Sequence, residues 1–127
     1  MKYVIKTEKA PMPIGPYSQA IRAGDTLYIS GQIALDPESG ELVSGSIEDE
    51  TEQVMNNLKA ILEAAGYGFH QVVKSTIFIK DMNQFSRINA VYAGYFDPAT
   101  APARETVEVS NLPKFVNVEI SMIAAKR

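Results

Sequence analysis

The sequence predicts an α+β fold, a mixed sheet with two helices packed on one face. Two stretches carry apolar residues at helical spacing, the segments around them alternate with a period of two, and the order is strands, helix, strand, helix, strands. At 127 residues the chain matches one domain spanning 1–127, long enough to bury a core of its own. No internal repeat, low-complexity tract or linker divides it.

"YVIKT" (Tyr3 to Thr7) reads as an extended segment. "YSQAIRAGDTLYISGQIA" (Tyr17 to Ala34) reads as a hairpin folded near Gly24 and Asp25, with β-branched and aromatic residues on both sides. "LDPESGELVSGS" (Leu35 to Ser46) is a turn-rich loop marked by Pro37, Gly40 and Gly45. A helix follows in "SIEDETEQVMNNLKAILEAAG", where Val54, Leu58, Ile61, Leu62 and Ala65 form the apolar stripe, acidic residues crowd the first turn and Gly66 supplies the stop.

"VVKSTIFIKD" (Val72 to Asp81) is a β-branched strand with Val73, Ile77 and Ile79 expected on one face. "NQFSRINAVYAGYF" repeats the helical signal through Phe85, Ile88, Tyr92 and Tyr95, with Pro98 as its terminator. The chain closes with "ARETVEV" and "VNVEISMIAA", expected to pair through the turn signal "SNLPK". One layer of helices leaves Phe78 and its neighbours facing outward, and self-association is the economical way to bury such a face.

Composition narrows the function. Hydrophobic residues make up 46% and charged residues 21%, an ordinary globular balance. The N-terminus shows no signal peptide and no stretch reaches the length of a membrane span, so a soluble, cytoplasmic protein is expected. With no cysteine there is no disulfide, thiolate nucleophile or thiolate metal site. The net charge of −3 and the scattered Lys and Arg residues disfavour a nucleic-acid binder. The common phosphate-loop, dinucleotide, nucleophile-elbow and zinc-protease motifs are absent, and His70, the lone histidine, reads as a loop residue.

What remains is the final pair of strands. Alternation puts Arg104, Thr106 and Glu108 on one face of the first, while Glu119 lies on the second. If these strands pair, Arg104 and Glu119 share one side of the sheet. One reading is a cross-strand ion pair worth about 0.2 to 1 kcal/mol. The other is a site in which the arginine fork binds a carboxylate and Glu119 orients or deprotonates a water.

Longer motifs add to this pattern. "IGPYSQA", "SGQI" and the run from "PARETVEV" through "NLPKFVNVEI", with the segments between them, resemble the Rid/YjgF family, most closely its RidA branch of reactive-intermediate deaminases. The resemblance covers essentially the whole chain. It implies a chorismate-mutase-like homotrimer with three ligand clefts between subunits. The implied activity is hydrolysis of 2-imino acids, derived from enamines such as 2-aminoacrylate and 2-aminocrotonate, to 2-oxo acids and ammonia without metal or organic cofactor. A functional link to pyridoxal-phosphate-dependent serine and threonine dehydratases follows from the same source.

Carried over by position, the resemblance makes Arg104 the carboxylate-binding arginine and Glu119 the water-positioning glutamate, with Tyr17, Ser30, Gly31 and Asn89 lining the cleft. Thr106 stands where many RidA members have cysteine. Imine hydrolysis needs a held carboxylate and a placed water rather than a covalent nucleophile, so Thr106 is expected to line the cleft as a polar group. Two other functions are alternatives: a non-catalytic 2-oxo-acid-binding regulator that uses the same cleft, and a ribonuclease or translation inhibitor, an activity that the resemblance also brings and that the acidic balance and lone His70 count against.

Overall fold

The computed structural model describes residues 1–127. Six strands, β1 (Lys2–Ile5), β2 (Ala20–Ala23), β3 (Thr26–Gln32), β4 (Val72–Ile79), β5 (Ala103–Glu108) and β6 (Val118–Ala125), form one sheet in the order β1-β2-β3-β6-β4-β5. Two helices, α1 (Ile47–Ala64) and α2 (Phe85–Ala93), connect β3 to β4 and β4 to β5. β4 and β5 are parallel, whereas β6 is antiparallel to both β3 and β4, so β3 and β4 run the same way with β6 between them. Both helical crossovers therefore step in one direction across the sheet. Since such crossovers are right-handed, both helices land on the same face.

The expected hairpin is present. Ala23 pairs with Thr26 across a two-residue turn, and Gly24, at φ 60°, takes the left-handed first position that glycine reaches without strain. Helix α1 starts on Ser46, whose Oγ accepts from the Asp49 amide at 3.0 Å, and the chain leaves it through Gly66 at φ 79°. Its stripe of Val54, Met55, Leu58, Ile61 and Leu62 meets Leu27, Ile29, Ile77, Ile79, Val118, Ile120 and Met122 from the sheet in one core.

Three expectations need correction. Helix α2 stops at Ala93 with Gly94 as its cap, before Pro98 is reached. Val73 is 49% exposed while Val72 is buried, because the β4–β6 register shifts between Val72 and Lys74 and breaks the alternation there. The last two strands also do not pair with each other, since β4 lies between them. β4 is the more apolar strand and fills the central place, leaving the charged "ARETVE" at the sheet edge, where polar side chains and unpaired backbone groups meet water.

The face turned from the helices carries Val4, Ile21, Tyr28 and Ile123 in one cross-strand row and Phe78 and Val107 in another. Tyr28 is 50% exposed and Val107 39%, as the uncovered face requires. Phe78 is only partly exposed because Ile33, Leu112 and Val116 pack over it. No helix is long and apolar enough to cross a membrane.

Candidate active site

The strand order decides where the candidate groups point. Arg104 pairs with Ser75 and Glu119 with Phe78, both on β4, and these partners are three residues apart. Side chains three apart along a regular strand point to opposite faces. Arg104 and Glu119 of one chain are thus on opposite sides of the sheet, and the cross-strand ion pair between them does not form.

Arg104 projects on the helical side. Its Nη1 donates to Asn89 Oδ1 of α2 at 2.6 Å, and its guanidinium carbon lies 5.1 Å from the Tyr92 ring centroid and 5.6 Å from that of Phe85. Tyr92 is in turn fixed by its hydroxyl, which donates to Ser75 Oγ at 2.9 Å. The ion pairs of the chain are Lys74 with Glu105 and Arg87 with Glu48, so no carboxylate occupies the Arg104 fork. A cavity of about 430 Å³ opens beside Arg104, Asn89 and Phe96, and one of about 400 Å³ beside Arg104, Phe85 and Thr106. The Thr106 hydroxyl is buried there without a hydrogen-bond partner. This half of the chain has a rigid cation, an amide and an unpaired hydroxyl, which suits a small carboxylate with a second polar group.

Glu119 projects on the other side, over Gly31. A Cβ at position 31 would lie 2.6 Å from Glu119 Oε2, so only glycine leaves the carboxylate its place. Ser30 Oγ donates to the Ser18 carbonyl at 2.6 Å, tying this bulged part of β3 to the segment after Tyr17. A cavity of about 60 Å³ lies between Tyr17, Gly31, Ile33, Pro113 and Glu119. Burial pushes the Glu119 carboxyl above the ordinary carboxylate range. A carboxylate so shifted accepts a proton more readily than a solvated one.

The structure thus groups Arg104, Asn89 and Thr106 in one half and Tyr17, Ser30, Gly31 and Glu119 in another. Phe85 and Tyr92 were legible only as a core stripe, because their closeness to Arg104 depends on where β5 enters the sheet. Gln19 was also missed. Its amide accepts from Thr7 N at 2.8 Å and donates to the Thr7, Ala10 and Pro11 carbonyls, holding the N-terminal strap against the Glu119 cavity.

Residues 7–126 match the family model described as Endoribonuclease L-PSP. The chain is 60% identical over 126 residues to a RutC family protein of Pyrococcus horikoshii, covering 99% of each. It is 48% identical to the Mus musculus protein named 2-iminobutanoate/2-iminopropanoate deaminase, covering 99% of this chain and 93% of that one. Its fold superposes with a TM-score of 0.96 on a crystal structure of a Yersinia pestis protein of the Rid family, at 50% identity, covering 99% of this chain and 100% of that one. A family match over nearly the whole chain, close relatives of equal length and a shared fold lead to one assignment: the chain is a RidA-like member of the Rid/YjgF family, the family that the matching model describes as Endoribonuclease L-PSP.

Proposed function

We propose that this protein hydrolyses small 2-imino acids to 2-oxo acids and ammonia, in clefts that form between the copies of a homotrimer. The observation that carries this reading is the division of the candidate groups. An arginine with no acidic partner faces open space on one side of the sheet, and a partly buried carboxyl raised by burial faces the other. A site that uses both needs Arg104 from one copy and Glu119 from a neighbour, and the apolar sheet face offers the surface for that assembly. The name carried by the mouse relative supports the substrate class.

In this reading Arg104 binds the substrate carboxylate through two parallel N–H bonds, with Asn89 holding the guanidinium flat. Glu119 takes a proton from a water as the water oxygen bonds to the C=N carbon of the protonated imine, and the C=N electron pair goes to nitrogen. Glu119 passes that proton to the amine nitrogen of the carbinolamine and takes the hydroxyl proton in its place as the C–N bond breaks, releasing ammonia and leaving the 2-oxo acid. Nothing is oxidised or reduced, and no thiol is used. Thr106 offers its free hydroxyl to the substrate nitrogen or the water. The substrates proposed are the imines of 2-aminoacrylate and 2-aminocrotonate, supplied by dehydratases acting on serine and threonine.

The test is a dehydratase-coupled assay in which 2-oxo acid formation from the transient imine is followed with and without the protein. Arg104→Ala removes the partner of the substrate charge, and a loss of about 2 to 5 kcal/mol corresponds to roughly 30- to 5,000-fold in kcat/KM. Equal rates for wild type and variant would overturn the proposal. Binding of a 2-oxo acid in calorimetry with no turnover would instead favour the regulator reading. The family description favours RNA cleavage as a second reading, against which stand the net charge of −3 and a lone, exposed His70.

A further inference from the structure

Glu50 is the one charged side chain among the buried residues, with 4% of its surface exposed. It lies in the first turn of α1, yet Glu48 and Asp49 already place acidic charge there in or near water. No Lys or Arg pairs with it. Three donors from the start of β6 converge on it instead: Asn117 N at 2.8 Å and Val118 N at 3.2 Å on Oε2, and Asn117 Nδ2 at 2.8 Å on Oε1. A carboxylate buried without a cation is costly unless its lone pairs are filled in this way. Its position is therefore specific, and what it grips is the pair of residues before Glu119.

On the β4 side that end of β6 is in register through the Ile79–Val118 and Phe78–Glu119 pairs, and Glu50 grips the same residues from α1. On the β3 side the ladder is irregular between Ile29 and Gln32, where Ser30 and Gly31 lie. On the N-terminal side the chain arrives from a turn in which Lys114 and Phe115 are left-handed, at φ 54° and 56°. A slip of one residue would turn Glu119 into the core and Val118 out of it. Next to the β4 ladder Lys80 N donates to the Asn117 carbonyl at 3.0 Å.

We infer that Glu50 is a positioning residue for Glu119: by clamping Asn117 and Val118 it keeps the Glu119 carboxylate over Gly31. The inference rests on the proposed role of Glu119 in handling water. It differs from a general folding role in one respect, that its effect on turnover passes through Glu119 alone.

The experiment is a double-mutant cycle on the assembled protein in the coupled imine assay, with Glu50→Ala, Glu119→Gln and both together. Glu50→Ala is expected to lower kcat about tenfold or more with KM little changed, because the partners of Glu50 are Asn117 and Val118 and not Arg104 or Asn89. Combined with Glu119→Gln it should add almost nothing to the loss of the single variant. Glu50→Gln, whose oxygen can still accept from both backbone amides, should restore most of kcat. Wild-type kcat in Glu50→Ala, or losses that multiply in the double variant, would overturn the inference. If Glu50→Ala does not fold, Glu50→Asp, one methylene too short to hold the same donors, takes its place in the cycle with the same criteria. If wild type shows no turnover, the functional reading fails by itself, and the crystal structure of the Glu50 variant decides: Glu119 displaced from Gly31 supports the clamp, and an unmoved Glu119 overturns it.

Discussion

At the scale of single residues, Glu119 combines two tendencies that conflict. Partial burial raises its proton affinity, which suits a group that must take a proton from water but makes the charged form costly in the folded chain. Turnover should therefore fall on the acid side as Glu119 becomes protonated, at a pH above the ordinary glutamate value of about 4.3, and Glu119→Gln should lack that limb. The sign for stability is the reverse. The folded state holds this proton more tightly than the unfolded state, so the contribution of Glu119 is fully present below the ordinary glutamate value and is lost as pH rises through the elevated one. Thermal melts should show Glu119→Gln more stable than wild type near neutral pH and no better at about pH 4. Thr106 adds a smaller point: the chain has no cysteine, so the hydrolysis proposed here uses no thiol.

At the scale of elements, the site depends on irregularities more than on regular structure. The bulge in β3 brings Gly31 under Glu119, and the absent side chain is what leaves the carboxylate room. Gly31→Ala should fold normally, since the atom it meets is the end of a flexible side chain, but should lose activity by driving Glu119 aside; circular dichroism beside the imine assay separates the two effects. Both helices were legible because their apolar stripes, and for α1 the acidic first turn and the Gly66 stop, are local. The Gly24 hairpin was legible for the same reason. Pairing of the last two strands was misread because adjacency in sequence is a default that β4 displaced, being the strand whose apolar residues most need two neighbours. Val73 was misread because a bulge shifts the alternation by one residue, and nothing local in "VVKS" marks it.

At the scale of the whole molecule, the sheet divides the candidate groups between its two faces, so the proposed function makes assembly part of the chemistry. A closed ring repeats one heterologous contact, and each cleft would draw Arg104 from one subunit and Glu119 from the next. Arg104→Ala and Glu119→Gln homotrimers should each be nearly inactive. Dissociated and reassembled as an equal mixture, they should regain about a quarter of wild-type activity, because that share of interfaces joins an intact arginine to an intact glutamate. No recovery after verified subunit exchange would place both groups in a single-chain site, against the observed strand order. The sequence by itself determined the two helices, the turn glycines, the α+β class and, through its motifs, the family and the identity of the candidate residues. These rest on local periodicity and on residue type, which the chain carries wherever it folds. Only the tertiary structure decided that β4 separates β5 from β6, that Arg104 and Glu119 face apart, and that a buried Glu50 grips the start of β6. Strand order and sidedness arise from which segments best share one core, and that competition involves the whole chain at once.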